Sequence, residues 1–259
     1  MSDTAPKASR RARLDAELVA RGLAETRAKA QGLILSGRVL LDGAVSAKCG
    51  APVRPEQRVE VSSAPRPFVS RGGGKLEGAL EDFGVSCEGK TALDVGASTG
   101  GFTDCLLRRG ARRVYAVDVG EKLIDDRLRR DPRVVVIERM NFRYAPPDLL
   151  PEKAALAAVD VSFISLRHIL PPLRQFLLPG ADVLALVKPQ FEAGRVSVGK
   201  GGVVRDEGKR MEAVHGVKSF AESIGFSVKG QAESRVKGPS GNREVFLFLC
   251  WEGGPSPAE

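Results

Sequence analysis

TALDVGASTGGFTDCLLRR, Thr91 to Arg109, reads as a strand, a turn and a helix in immediate succession. Leu93 and Val95 mark a buried strand. Phe102, Cys105, Leu106 and Arg109 recur at helical spacing, and Gly110 stands where a C-terminal cap belongs. Gly96, Gly100 and Gly101 let the turn between them fold tightly and approach a ligand, at which the helix N-terminus aims its free N–H groups. The Gly-x-x-x-Gly-Gly spacing fits neither the dinucleotide fingerprint nor the phosphate loop, and no lysine follows to meet a phosphate. An acid, Asp94, ends the strand instead. That suits a ligand presenting an amine or a cation, and the ligand inferred is S-adenosylmethionine.

Working outward from this unit, strands and helices alternate. Residues 71–84 predict a helix ahead of the strand. RVYAVDVG (113–120), RVVVIERMN (133–141), LAAVDVSF (156–163) and DVLALVKP (182–189) predict the next four strands. A long helix is expected from Arg205 to Gly225, burying Val214, Val217, Phe220, Ala221 and Ile224. SVKGQAESRV and EVFLFLCW then close the chain as an antiparallel pair. Seven strands in this order predict an α/β class, a Rossmann-like methyltransferase domain.

Asp118 ends the second strand, 22 residues after Gly96. Such an acid either caps the next helix or accepts hydrogen bonds from a ribose diol, and the preceding glycine turn favours the ribose. Asn141 ends the third strand, where an adenine edge would lie. Asp160 and Lys188 end the fourth and fifth strands, the side of an open sheet where ligands bind. Lys75 precedes the first strand and Glu244 opens the last, so the fold must carry both in. Taken singly, each of these four reads rather as a surface ion pair, though for Lys188 the neighbourhood LVKPQFE, directly after a buried apolar run, tells against it. Together, two lysines and two carboxylates with no metal suit methyl transfer to a ribose 2′-hydroxyl. The alcohol must be aligned with the methyl donor and lose its proton, and a lysine desolvated beside another cation has its pKa lowered.

The chain of 259 residues carries a net charge of +8, distributed unevenly. Residues 1–75 hold 14 lysines and arginines against 7 acids, whereas the remainder holds 26 against 25. A basic first third ahead of a near-neutral domain is how a protein reaches a phosphate backbone. In that third, Leu14, Leu18 and Val19 line one helix. A second, capped by Thr26, turns Ala30, Leu33 and Ile34 inward, and VLLDGAV predicts a hairpin turning at Asp42-Gly43. Arg11, Arg13, Arg27, Lys29 and Arg38 cluster around the helices as candidate RNA contacts. Apolar content of 42% supports a real core. Four scattered cysteines without a C-x-x-C and only two histidines, His168 and His215, indicate neither a disulfide framework nor a metal site. No signal-like or membrane-length apolar segment is present, so a cytoplasmic protein without a membrane or stable protein partner is expected.

RARLDAELVARGLAETRAKAQGLILSGRVLLDG resembles the S4 RNA-binding domain found in ribosomal protein S4, pseudouridine synthases and other RNA-modifying enzymes. Farther along, SRGGGKL, LDVGASTGGFTDCLL, VDVSFISL, LVKPQFE, GKGGVVRD and GPSGN-x-E follow in register. In that order after an S4 domain, they resemble the TlyA (haemolysin A) family of ribosomal RNA 2′-O-methyltransferases. The resemblance implies an FtsJ-type fold with Lys75, Asp160, Lys188 and Glu244 as a Lys-Asp-Lys-Glu tetrad. It implies that Asp94, Gly96, Ala97, Ser98, Thr99, Gly100, Gly101 and Phe102, with Asp118, form the cofactor site, to which the strand-end reading adds Asn141 and Asp160. The substrate it implies is a cytidine 2′-hydroxyl in 16S or 23S ribosomal RNA, free or in a subunit. The expected organisation is a flexible tail at 1–10, an S4 domain at 11–61 and a linker at 62–69. A methyltransferase domain at 70–252 and a flexible tail at 253–259 complete it. Phe163 is expected in the core, and the turn at 194–202 is expected to face substrate.

Overall fold

The computed structural model describes residues 12–42, 44–46, 48–62, 68–194, 199, 201–238 and 241–254. The chain divides into two compact units, Met1–Pro65 and Arg66–Glu259. The expected tail at 1–10, residues 255–259 of the expected tail at 253–259, the centre of the linker, Arg11, Gly43 and most of the 194–202 turn lie outside the described residues.

The first unit runs β1 (Ala12–Arg13), α1 (Leu14–Ala20), α2 (Arg27–Leu35), β2 (Val39–Leu41), β3 (Ala44–Val45), β4 (Pro52–Val53) and β5 (Val59–Val61). Thr26 caps α2 by accepting from the Lys29 N–H at 3.2 Å, satisfying a donor the helix itself leaves open. β2 pairs antiparallel with both β3 and β5, and Asp42 in the β2–β3 connection takes φ +51°. Leu14, Leu18, Ala30, Ile34, Val39, Val53 and Val59 form one small core. Val19 is not among them. The inward face of α1 is the Leu14–Leu18 row, which lies one turn apart, and Val19, the next residue round, is turned to solvent.

The second unit begins with α3 (Gly72–Phe83), which stops at Gly84 in the left-handed region, and β6 (Thr91–Val95). Then come α4 (Gly101–Arg108), β7 (Arg113–Val117), α5 (Asp126–Arg129), β8 (Val134–Ile137) and β9 (Ala154–Val159). α6 (Leu170–Leu173), β10 (Leu177–Val187), α7 (Pro189–Glu192), α8 (Glu207–Ser223), β11 (Phe226–Glu233) and β12 (Val245–Trp251) complete it. The sheet order is β11-β12-β10-β9-β6-β7-β8. The five central and right-hand strands are parallel, and β12 runs antiparallel between β10 and β11. This is the expected doubly wound α/β sheet.

Both faces of the sheet are covered, so β6 is buried at all five positions, as parallel strands sandwiched between helices must be. One core, with Leu93, Val95, Val117, Val183, Val187 and Val217, fills the α6–α8 side. The other, with Leu76, Leu80, Ala92, Phe102, Leu106 and Phe246, fills the α3–α4 side. α8 starts two residues later than expected, where Asp206 accepts from the Lys209 N–H, and buries Val214, Val217 and Ala221. β10 is longer than its apolar run, because Leu177 already pairs with Ala154 before an irregularity at residues 178–181.

Candidate active site

Three glycine contacts seat the turn after β6 against its surroundings. Gly96 has φ +87°, and a Cβ there would stand 2.5 Å from the Asp160 carbonyl oxygen. Gly100 has φ +91°, and a Cβ there would strike the Leu128 side chain. At Gly101 a Cβ would meet Ser70 Oγ and the Gly73 amide, so the start of α3 is seated directly on the start of α4. That close seating carries Lys75, on the first turns of α3, into the sheet's ligand edge.

The turn holds a prearranged set of acids. Asp118 accepts from the Ser98 N–H at 2.8 Å and the Gly120 N–H at 2.7 Å, one on each carboxylate oxygen. Asp94 is fully buried. Its Oδ2 accepts from Thr103 Oγ1 at 2.6 Å, while Oδ1 has no hydrogen-bond partner among the described residues. Burial pushes the Asp94 carboxyl up to about 7, with the Thr103 bond opposing and the charges of Asp160 and Asp118 assisting. A buried orphan acceptor beside a glycine cradle fits a cationic ligand group that would satisfy it. Ala97, Thr99 and Phe102 lie buried along the turn, and Phe102 stacks on Phe246 with ring centroids 6.1 Å apart. Asn141 is exposed, and its side chain accepts from the Arg143 N–H to cap a short 3-10 turn at Phe142–Tyr144.

Next to the turn lie two lysine–carboxylate pairs. Lys75 Nζ donates to Glu244 Oε2 at 2.6 Å, with both side chains buried. Lys188 Nζ lies 2.6 Å from Asp160 Oδ1 and donates to Ser162 Oγ at 2.7 Å. Burial works to raise the Asp160 carboxyl, but the charges of Lys188, Lys75 and Arg71 outweigh it and hold the group below its ordinary range. Lys75 is thus near enough for its charge to help lower the Asp160 carboxyl. Glu244 is fixed from behind, because a Cβ on Gly238 would stand 2.5 Å from its Oε1. Asn242 steadies the same loop. Its Oδ1 accepts from the Val204 N–H at 3.0 Å and its Nδ2 donates to the Gly202 carbonyl at 2.8 Å.

Phe163 departs from expectation. It is 90% exposed, has φ +64°, and sits with its ring centroid 5.1 Å from that of Phe191. A bulky side chain in the left-handed region is costly and persists where the surroundings hold it there. The strand expected over 156–163 ends at Val159, and the backbone that follows turns the ring outward. Ser162, Thr103, Gly238 and Asn242 escaped the reading of single residues. Ser162 lies in VDVSFISL, and Gly238 and Asn242 in GPSGN, stretches already singled out.

In the first unit, Arg13 and Arg27 both donate to the fully buried Asp15. Arg13 approaches through Nε at 3.1 Å and Nη2 at 2.9 Å, and Arg27 through Nε at 3.1 Å. Gln31 adds a fourth bond at 3.1 Å, and the Arg13 hydrogen bond leads in holding the Asp15 carboxyl far below its ordinary range. Lys29 pairs with Glu25 at 2.5 Å, and Arg38 Nε donates to the Ser62 carbonyl at 3.2 Å.

A doubly wound sheet with a glycine turn at its ligand edge, an acid ending the second strand and buried lysine–carboxylate pairs beside them is the architecture of a methyltransferase of Rossmann type. Residues 68–250 match the FtsJ-like methyltransferase family, and residues 12–59 match the S4 domain. YqxC of Bacillus subtilis (strain 168), which carries an rRNA methyltransferase name, is 50% identical across 95% of this chain and 88% of its own. The 16S/23S rRNA (cytidine-2′-O)-methyltransferase TlyA of Mycobacterium tuberculosis (strain ATCC 25618 / H37Rv) is 47% identical across 93% of this chain and 90% of its own. A solved Streptococcus thermophilus structure bearing a hemolysin name superposes with a TM-score of 0.73 at 42% identity. It covers 96% of this chain and 91% of that one. The chain belongs to the TlyA family of FtsJ-like methyltransferases, with an S4 domain ahead of the methyltransferase domain.

Proposed function

We propose that this protein transfers a methyl group from S-adenosylmethionine to a ribose 2′-hydroxyl, that of a cytidine, in 16S or 23S ribosomal RNA. The observation that carries the reading is Lys188 Nζ poised between Asp160 Oδ1 and Ser162 Oγ at the ligand edge of the sheet, beside the glycine turn. Asp94 Oδ1 would meet the cofactor's ammonium, Asp118 its ribose diol, and the residues from Gly96 to Phe102 its methionine end. Bound there, S-adenosylmethionine supplies a methyl group on a sulfonium, activated for displacement.

The protein's own work is then alignment and charge. Lys188 is already a donor to one hydroxyl, Ser162, so a ribose hydroxyl arriving there finds a donor in hydrogen-bonding position. On transfer the ribose oxygen would gain the methyl and release its proton to solvent, the thioether being the leaving group, and negative charge would develop on the oxygen meanwhile. Lys188 stabilises that oxygen, Asp160 holds Lys188, and the buried Lys75–Glu244 pair adds field without solvent to screen it. Phe163 offers an exposed ring on which a nucleobase turned out of its stack can rest. The S4 unit, with Arg13, Arg27, Lys29 and Arg38 on its surface, would grip the phosphate backbone.

The test is transfer of tritiated methyl from the cofactor to separate 30S and 50S particles taken from cells lacking the gene. Primer extension at low nucleotide concentration then maps the modified position. Label in RNA that vanishes in Lys188→Ala supports the reading. Cofactor binding with no label in any particle overturns it in favour of a binding protein.

A further inference from the structure

Glu192 closes α7 and has no part in the cofactor turn or the lysine–carboxylate pairs, yet both of its carboxylate oxygens are taken. Oε2 accepts from Ser165 Oγ at 2.6 Å and Oε1 from the Leu166 N–H at 2.8 Å. It is half-buried, and that burial raises its carboxyl above the ordinary range, with the Ser165 and Leu166 hydrogen bonds and the charges of Arg167 and His168 opposing. Even half-buried, a carboxylate with both oxygens committed to donors of one neighbouring segment is a costly way to fill space. What it joins explains its presence. Ser165 and Leu166 end the segment that follows β9 and carries Asp160, Ser162 and Phe163, while Glu192 ends the segment that follows β10 and carries Lys188 and Phe191.

The same two segments are cross-linked three times. The Lys188 contacts to Asp160 and Ser162 lie at the strand ends, and the Phe163–Phe191 ring pair at 5.1 Å lies farther out. The Glu192 bonds lie on the far side, closing the frame. Past the strand ends no ladder hydrogen bonds remain to set the spacing, so side chains must do it. The outward ring of Phe163, at φ +64°, is held in a conformation its own backbone disfavours.

We propose that Glu192 is a positioning residue. It braces the 160–166 segment against α7, setting the Ser162–Lys188 spacing and presenting Phe163 to the RNA. The inference rests on the reading that this edge receives an RNA ribose.

The test uses the full chain as wild type, Glu192→Ala, Glu192→Gln, Ser165→Ala and the Glu192→Ala/Ser165→Ala double variant. Methyl transfer is measured with ribosomal particles varied, alongside cofactor affinity by calorimetry, thermal unfolding, and amide hydrogen exchange over residues 160–166. Loss of alignment in Glu192→Ala lowers kcat/KM for RNA by about tenfold to a hundredfold, with cofactor affinity unchanged. Glu192→Gln retains most of the activity, since its carboxamide can accept from Leu166 and donate to Ser165. Ser165→Ala loses less than Glu192→Ala, and the double variant is no worse than Glu192→Ala, because both remove one device. Wild-type RNA kinetics in a folded Glu192→Ala overturn the proposal. So does a Gln variant as impaired as the Ala variant, which would mean that the charge itself is used. If wild type labels no ribosomal RNA, the functional reading fails by itself, and exchange still decides the brace. Faster exchange of residues 160–166 in Glu192→Ala supports it, and unchanged exchange overturns it.

Discussion

Replacing Asp94 with asparagine isolates the energetic cost of the cofactor turn. In the folded protein the Asp94 carboxyl is fully buried, pushed up to about 7 by that burial, whereas an unfolded chain releases the proton near the ordinary value of 3.8. Between these values the folded state holds a proton that the unfolded state has lost. The contribution of this group is therefore fully present below about pH 4 and is lost as pH rises toward 7, at about 1.4 kcal/mol per pH unit. A displacement from 3.8 to about 7 amounts to about 4 kcal/mol across the window. Asparagine keeps the shape and the Thr103 contact but has no proton to lose, so the variant lacks this slope. Urea unfolding followed by the fluorescence of Trp251, the only tryptophan and buried in β12, reports on this unit alone. The stability difference between Asp94→Asn and wild type should grow in the variant's favour from pH 5 to 7. A difference that stays constant over that range would refute the burial argument. Under the proposed function the same variant binds S-adenosylmethionine more weakly, having lost the anionic partner for its ammonium.

Other substitutions test neighbouring parts of the site. Gly238→Ala places a methyl against Glu244 Oε1 and should abolish most methyl transfer while leaving cofactor affinity, read by calorimetry, nearly intact. Lys75→Ala leaves the buried Glu244 carboxylate without its cation and should destabilise the second unit by about 3–5 kcal/mol in urea. Gly96→Ala strains φ +87° and drives Cβ into the Asp160 carbonyl, so cofactor binding should be lost before folding is. Asp15→Asn weakens the hub that gathers Arg13, Arg27 and Gln31. In wild type that hub's contribution is present above pH 4 and fades as pH falls, so acid titration of the first unit should be flatter in the variant.

Much of this molecule was legible because its decisive features are local. The strand, glycine turn and helix at 91–109 require particular backbone conformations that few other residues supply, and the φ values of Gly96 and Gly100 bear out that requirement. Alternating apolar runs separated by amphipathic helices could fold only as a covered parallel sheet, and Thr26 announced its helix start by its own side chain. Val19 and Phe163 misled for the same reason. Apolar character says that burial is favourable, but which residue wins it depends on helix phase and on where a strand stops.

The convergence at the site belongs to another level. Lys75 and Glu244 are separated by 169 residues, and nothing near either names the other. Their pairing follows from α3 seating its glycines on α4 while β12 inserts beside β10, an outcome of packing summed over both cores. Glu192 and Ser165 meet for a similar reason, because two adjacent parallel strands end together and release their loops side by side. The elements, their order and the chemistry available at the strand ends can be read from the chain alone, since each depends on a few neighbouring residues. Which charges are buried against each other cannot, because burial and distance are properties of the packed sheet and not of any segment within it.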